Sequence, residues 1–425
     1  ISALPGPDAD MNRLLLALVS FFSLPVLASE VPSYSRDVQP IFNAKCVACH
    51  ACYDAPCQLN LGSGEGAQRG ASQLPVYSGS RTEAQATTRL YLDAHDEAAW
   101  RRKGFASVLQ PQQQSAALMA RMLELGHNNP WPANSKLPAT LNIDISRENQ
   151  CPLPEQFADF ARKNPQAGMP FAVTGLDAQE YDTLQRWLAA GAPLDDQPRT
   201  ANASEAAQIS QWEALLNGDS PREVLVARWL YEHLFLAHLY FDQGQSGQFF
   251  QVVRSRTPSG QPVDPIATRR PNDDPGTRFF YRLWPIQGAI VHKTHITYPL
   301  SAKKLARVQE LFFASDWAVQ ALPGYSAQRR ANPFETFAAI PAQARYQFML
   351  DNAEYFVRTF IRGPVCRGQI ATDVIRDQFW ALFQSPEHDL YLTDAQFRAE
   401  ATPLLALPGQ VDELRSLPRQ WREYK

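Results

Sequence analysis

The segment Cys46-Val47-Ala48-Cys49-His50 constrains this chain more than any other sequence feature. Its C-x-x-C-H pattern is the attachment signature of c-type haem, because two thiols one helical turn apart can react with the two porphyrin vinyl groups. The residue that follows them then lies under the iron and donates an imidazole nitrogen. We therefore predict one covalently attached haem (heme c) per chain, bound through Cys46 and Cys49 with His50 as the proximal iron ligand.

The N-terminus indicates export. Met11 begins a short basic region, an apolar run follows it, and small residues precede Ser29. This order is typical of a secretory signal peptide over 11–28, and we therefore expect residues 1–10 to be a non-native upstream translation. A membrane anchor is the alternative, but the run is short for a span of about 20 residues.

Four cysteines remain once two hold haem, namely Cys52, Cys57, Cys151 and Cys366. Thiols that bind no cofactor tend to pair in an exported protein, and both a local Cys52–Cys57 bridge and a Cys57–Cys151 bridge are open. A zinc site with Cys52 and Cys57 as further ligands, or a redox dithiol, is the rival interpretation of the motif. The signal peptide before the motif favours haem.

Met169 is the candidate distal iron ligand. It lies in a loop before a predicted helix, which Asp177 and Glu180 begin as a capping box and Gly191 ends. A loop methionine before a final helix resembles the cytochrome c arrangement, so we predict a cytochrome c-like haem domain over 29–195. Ordinary loop packing of Met169 is the alternative.

Other methionines and histidines of this region are weaker candidates. Met119 and Met122 fit the apolar face of a helix, where side chains pack against the core. His95 and His127 are interpreted as surface or structural residues.

A second domain is predicted over 205–425, after the polar, proline-containing segment 195–204. Ser220 and Pro221 predict the start of an apolar helix that runs to about Phe241. Further helices are expected at 302–314, 341–361 and 393–403, and strands at 249–256, 279–284 and 291–298. The fold class is thus mainly α, a cytochrome c-like haem domain followed by a larger helical domain with a small β element.

Several polar residues of the second domain could be functional. His233 and His238 could line a haem pocket, although core histidines with hydrogen-bonded rings are the commoner outcome. His292 and His295 would face opposite sides of a strand, which weakens a shared metal site. The following arginines could hold a carboxylate or an anionic headgroup, or form a solvated basic surface: Arg254, Arg256, Arg269, Arg270, Arg278 and Arg282.

Charge and motifs exclude several function classes. The net charge of −3 gives no reason to expect nucleic acid as a partner. The sequence has no P-loop, dinucleotide fingerprint or G-x-S-x-G elbow, so no nucleotide and no serine hydrolase chemistry is expected.

Four segments resemble one known family, the bacterial fatty acid cis/trans isomerases. They are the extended haem segment 46–61 and the segments Tyr231–Phe241, Val253–Pro258 and Phe360–Gly368. The resemblance implies a periplasmic cytochrome of a Gram-negative bacterium that contacts the membrane surface peripherally. It also implies a chain that is incomplete at its C-terminus, because the family's proteins are considerably longer.

The resemblance implies haem-dependent conversion of cis-unsaturated acyl chains to trans without double-bond migration, which stiffens the membrane under stress. The substrate could be free unsaturated fatty acids or phospholipid acyl chains. An oxidised iron suits this chemistry because withdrawing electron density from the π bond permits rotation. Either Met169 is displaced by substrate, or an electron leaves at the haem edge. The alternative function is a monohaem electron-transfer cytochrome with a partner-docking domain.

Overall fold

The computed structural model describes residues 30–76, 85–112, 115–132, 134–139, 141, 149–242, 247–291, 294–362 and 382–407. The predicted signal peptide 11–28 and the upstream residues 1–10 lie outside them. The chain divides into two compact units, 1–31 and 32–425. Helices dominate the described residues and the sheets are small, which confirms the mainly α class. None of the described helices is long and apolar enough to cross a membrane.

The regular secondary structure in the N-terminal half of the described chain consists of short helices and one small two-stranded sheet. A π-helical turn at Tyr34–Val38 leads into the first helix. The helices are α1 (Gln39–Lys45), α2 (Gly64–Arg69), α3 (Glu97–Arg102), α4 (Leu118–Asn128), α5 (Phe157–Lys163) and α6 (Ala178–Ala189), and the antiparallel strands are β1 (Ala71–Ser72) and β2 (Phe105–Ala106).

Helix α6 packs across the start of the chain. The Trp187 ring lies 5.8 Å from the Tyr34 ring and 5.9 Å from the Phe42 ring, and all three side chains are buried. The predicted capping box is confirmed, because the Asp177 side chain accepts from the Glu180 backbone N–H at 2.8 Å. Gly191 follows the helix with a φ of +89°, a left-handed conformation that glycine adopts without strain.

The C-terminal half surrounds a four-stranded sheet. Its helices are α7 (Ala203–Leu216), α8 (Pro221–Leu234), α9 (Ala302–Phe313), α10 (Ala327–Ala331), α11 (Pro333–Thr336), α12 (Ala342–Asp351), α13 (Ala353–Arg362), α14 (Leu390–Thr393) and α15 (Ala395–Ala401). The strands are β3 (His238–Phe241), β4 (Phe250–Ser255), β5 (Phe280–Pro285) and β6 (Thr297–Leu300), in the order β5-β4-β3-β6. Strands β4 and β5 confirm two of the predicted strands.

Helix α8 begins as predicted but ends earlier. Ser220 caps it, with Glu223 completing the capping box, and its last residue is Leu234 rather than one near Phe241. The residues that were expected to extend it form β3, which pairs in parallel with β6 from His238↔Thr297 to Phe241↔Leu300. This long-range pairing satisfies the backbone polar groups that a longer helix would have satisfied locally.

Two other predicted elements differ from the structure. The single helix expected at 341–361 is divided into α12 and α13 at Asn352, whose side chain donates to the Phe348 carbonyl at 2.8 Å. The strand expected at 291–298 is present only from Thr297, because Val291 begins a turn that the Thr294 N–H closes at 2.9 Å.

A buried ion pair joins α7 to the sheet. The Arg282 Nε lies 3.0 Å from both carboxylate oxygens of Glu213, and both side chains are buried. The carboxylate also accepts the Leu283 backbone N–H at 2.8 Å and the Ser259 hydroxyl. Buried charges persist when they are paired and hydrogen-bonded in this way.

The described chain has two large hydrophobic clusters. One lies between Tyr34 and Ala192, and the other between Trp212 and Tyr355. Ala289, from the C-terminal half, packs on the first cluster and donates its backbone N–H to the Gly62 carbonyl at 2.8 Å. The domain boundary at 195–204 stays a prediction.

Candidate haem site

The C-x-x-C-H motif continues helix α1 as a turn. Cys46 is the first residue after the helix, and its carbonyl accepts the backbone N–H groups of Cys49 at 3.1 Å and His50 at 2.9 Å. These hydrogen bonds hold the two cysteines about one helical turn apart, which is the spacing that thioether attachment requires. Cys46 is half-buried and Cys49 is exposed.

The His50 ring is oriented by the backbone that follows it. Its Nδ1 lies 3.2 Å from the Leu59 carbonyl, and the His50 carbonyl accepts the Leu61 N–H at 2.7 Å. A carbonyl can only accept, so Nδ1 carries the proton and Nε2 keeps the lone pair that a metal needs. Burial lowers the pKa of His50, although the hydrogen bond to Leu59 opposes this, and the neutral ligand form is favoured.

The cysteines outside the motif differ from those inside it. Cys57 and Cys151 form a disulfide with their Cα atoms 5.6 Å apart, which confirms one expected alternative and shows that the local Cys52–Cys57 bridge was wrong. Cys52 is also disulfide-bonded, whereas Cys366 lies outside the described residues. Burial, followed by the charge of Cys49, raises the pKa of Cys46 to about 12.

These disulfides weigh against the zinc interpretation. Cys52 and Cys57 supply no thiolate, because both sulfurs are in disulfides. Among the residues that the structure describes, no group of three or more His, Cys, Asp or Glu side chains is placed to hold a metal ion. A structural zinc site needs four such ligands.

Met169 packs against the same hydrophobic cluster as Cys46. Its backbone N–H donates to the Met122 carbonyl at 2.9 Å, which ties the loop to helix α4. Two glycines permit this close approach, since a Cβ on Gly126 would lie 2.3 Å from the Met169 carbonyl oxygen and one on Gly168 would lie 2.1 Å from the Gly126 nitrogen.

A pocket of about 260 Å³ opens beside Met169. Most of its lining is apolar or aromatic, and the His127 ring stacks on the Tyr181 ring at 4.1 Å. Its wall comes from α4, the loops at 129–131 and 166–176, and α6. Sequence reasoning missed these residues as a group, because only the tertiary fold brings the segments together. No local sequence pattern indicates that the Met169 backbone N–H donates to a carbonyl of α4.

The donor set fits a haem. Two thiols lie one turn apart, the imidazole beside them has its Nδ1 bound, and a thioether packs in the same cluster. A c-type haem needs one or two axial protein ligands and two thioether bonds, all of which Cys46, Cys49, His50 and Met169 could supply. The assignment of these four residues stays a prediction.

The remaining candidate methionines pack in the core, and the remaining candidate histidines that the structure describes are exposed or have hydrogen-bonded or packed rings. Met119 and Met122 lie on helix α4 and pack in the first cluster, and His95 and His127 are exposed. The His233 Nδ1 lies 2.7 Å from the Trp229 carbonyl, as expected of a satisfied core histidine. The His238 and His295 rings lie 4.7 Å apart, and His292 is outside the described residues.

The arginines of the second half do not form one basic surface. Arg254 is 1% exposed and donates to the Asp273 carbonyl at 2.8 Å, and Arg282 is bound to Glu213. The solvated interpretation was therefore wrong for these two residues, which carry internal hydrogen bonds. Arg256 is exposed and pairs with Asp264 at 3.0 Å, as a surface ion pair.

A family model for fatty acid cis/trans isomerases matches residues 85–425, about four fifths of the chain. The match includes Met169 and begins after His50, so the C-x-x-C-H motif lies outside it. No curated protein and no solved structure matches the chain.

Proposed function

The chain belongs to the fatty acid cis/trans isomerase family and is an isomerase of unsaturated fatty acyl chains, and we propose that it acts through a haem held by Cys46, Cys49 and His50. The His50 geometry carries this proposal. Its Nδ1 is within hydrogen-bond distance of the Leu59 carbonyl, and two thiols precede it at the spacing of c-type attachment. A ring held in this way presents Nε2 to a metal with little further ordering.

Two further observations support a cytochrome-like arrangement of this half of the chain. The first helix and the last helix of its hydrophobic cluster contact each other through the Phe42 and Trp187 rings. Met169 lies in the loop before that last helix and faces the cluster that also contains Cys46. We propose Met169 as the distal ligand on this ground.

A bound haem iron supplies electron withdrawal, which lowers the barrier to rotation about a carbon–carbon double bond. The chain's own part is to hold the acyl segment and to exclude water. The apolar pocket beside Met169, with Leu123, Val173 and Leu176 in its wall, provides such surroundings. Its volume of about 260 Å³ lies near the lower end of small-molecule pockets, so it would take a segment of the acyl chain.

We further propose that the reaction takes place in the periplasm on membrane lipids and that it stiffens the membrane. Trans chains pack more tightly than cis chains, so conversion lowers fluidity under solvent or heat stress. The predicted signal peptide supports export, and a disulfide between Cys57 and Cys151 is typical of an oxidising compartment.

The test is gas chromatography of total fatty acids from cells that export this chain together with a haem-maturation system, after a brief octanol challenge. We expect trans-palmitoleate and trans-vaccenate with the unchanged chain and none with Cys46→Ala. Arg162→Gln, an exposed change away from the motif, is the matched control and should keep full conversion. Trans product from a haem-free Cys46→Ala chain would refute haem dependence.

The same cultures separate the isomerase from an electron carrier. Haem-loaded protein that is reduced and reoxidised reversibly but gives no trans product would support the electron-transfer alternative. For the distal ligand, Met169→Leu should abolish the methionine–iron absorption band, whereas Met122→Leu, in the same cluster, should leave it unchanged. An unchanged band in Met169→Leu would exclude Met169.

A further inference from the structure

A second cavity, of about 470 Å³, lies in the C-terminal half among the short helices. Helices α10 to α12 form one side of it, and α14 and α15 form the other. Three arginines line it, together with one acidic residue, Glu335. We call it the arginine cavity; its polar lining residues are Arg329, Arg345, Arg398, Tyr391, Glu335 and Thr402.

The three guanidinium groups are held by backbone carbonyls rather than by carboxylates. Arg345 is 6% exposed and donates from Nε to the Ile340 carbonyl at 3.1 Å. Arg398 donates to the Tyr391 carbonyl at 2.8 Å, and Arg329 donates to the Glu335 carbonyl at 3.3 Å. Within the described part of the chain, none of the three forms an ion pair with an acidic side chain.

The positive charges of Arg345 and Arg398 oppose each other. Burial lowers the pKa of Arg345, and the positive charge of Arg398 lowers it further, although Tyr391 acts in the opposite direction. Elsewhere in the described structure the buried arginines Arg228 and Arg282 each have a glutamate partner, whereas Arg69 and Arg254 donate to carbonyl or hydroxyl oxygens. A buried guanidinium without such a partner is costly, and an anion in the cavity would offset that cost.

We propose that the arginine cavity binds the phosphate group of a glycerophospholipid. Three guanidinium groups offer more donors than the two oxygens of a carboxylate can accept, whereas a phosphodiester has two charged oxygens and two ester oxygens that accept more weakly. The volume of about 470 Å³ leaves room beside the phosphate for the groups esterified to it. The choice of a lipid as its source rests on the proposed function.

Binding can be measured without haem or turnover, by titrating the full chain calorimetrically with dihexanoylphosphatidylglycerol below its micellar concentration. Sodium phosphate and sodium hexanoate are the comparison ligands. The variants are Arg329→Gln, Arg398→Gln and the control Arg162→Gln, each of which removes one positive charge. Arg329 is exposed and its charge has no acidic partner among the described residues, so its replacement should leave the fold intact.

We expect the lipid to bind the unchanged chain and the control with affinities within twofold of each other. Arg329→Gln and Arg398→Gln should each weaken binding about tenfold or more, as the loss of a charge-assisted hydrogen bond does. Inorganic phosphate that binds as tightly as the lipid would overturn the lipid assignment. Tighter binding of hexanoate would overturn the phosphate assignment. Lipid binding that neither arginine variant weakens would place the site elsewhere.

The binding result and the isomerase result are independent. A chain that binds the lipid through these arginines but makes no trans fatty acid would keep the cavity assignment and refute the proposed function. If the Arg398→Gln chain makes trans fatty acid at the unchanged rate and binds the lipid with unchanged affinity, the proposed function would stand and the cavity assignment would be refuted.

Discussion

Replacing Gly126 by alanine tests whether helix α4 lies against the Met169 loop as closely as the structure has it. Helix propensity alone predicts that the change stabilises the protein by about 1 kcal/mol, because Gly126 lies within α4. The contact predicts the opposite. The new Cβ would lie 2.3 Å from the Met169 carbonyl oxygen, which is 1.1 Å short of the 3.4 Å at which ordinary contact begins.

The expected net effect follows from these opposing contributions. Relieving such an overlap by shifting the backbone costs about 1–3 kcal/mol. The shift also weakens the hydrogen bond from the Met169 N–H to the Met122 carbonyl, worth about 1 kcal/mol. After subtraction of the propensity gain, Gly126→Ala should lower the free energy of unfolding by about 1–3 kcal/mol.

Urea denaturation followed by circular dichroism measures this difference, with Gly175→Ala as the matched control. Gly175 borders the same pocket, but a Cβ there would meet no atom within 4 Å, so its replacement should change stability by less than about 1 kcal/mol. In haem-loaded protein, Gly126→Ala should also weaken the methionine–iron absorption band. A Gly126→Ala chain at least as stable as the unchanged one would refute the close packing of α4 on this loop.

Three further changes have expected outcomes. Glu213→Ala leaves Arg282 buried and unpaired and should lower the free energy of unfolding, measured by urea denaturation, by about 3–5 kcal/mol. Arg256→Ala removes an exposed ion pair and should cost less than about 1 kcal/mol. Equal effects would contradict the burial argument. Replacing both Cys57 and Cys151 by serine opens a crosslink of sequence separation 94 and should cost about 3–5 kcal/mol in urea denaturation; a loss of less than about 1 kcal/mol would contradict this. Burial lowers the pKa of His233 from 6.5 to about 4, so between these pH values the unfolded chain binds a proton that the folded chain does not. The free energy of unfolding should therefore fall by about 3 kcal/mol as the pH drops from 6.5 to 4. A His233→Phe chain with the same pH profile would contradict this.

Sequence reasoning succeeded where the signal is local. The capping box of Asp177 and Glu180 and the N-cap Ser220 lie within four residues of the backbone groups that they bind. Strands β4 and β5 alternate or cluster apolar residues in short runs, which is also a local pattern. Such elements need no knowledge of their neighbours.

It failed where distant segments decide the outcome. Nothing near His238 in the sequence indicates that its backbone pairs with Thr297. The apolar pattern of α8 therefore predicted a helix that continues through the residues of strand β3. Cys57 had two partners that chemistry allowed, and the fold selected Cys151, which is far along the chain. The arginine cavity is likewise assembled from α12 and α15, whose residues Arg345 and Arg398 are separated by a segment without a binding motif.

The family match and the haem motif are separate in sequence but joined in the structure. The match begins at residue 85, yet Trp187, which lies within it, is fully buried against Tyr34 and Phe42, which lie outside it. Without residues 30–61, the apolar face of α6 would be exposed to water, at about 25 cal/mol for each Å² uncovered. The segment that contains Cys46, Cys49 and His50 therefore completes a core of the matched region, whichever chemistry its thiols and imidazole perform.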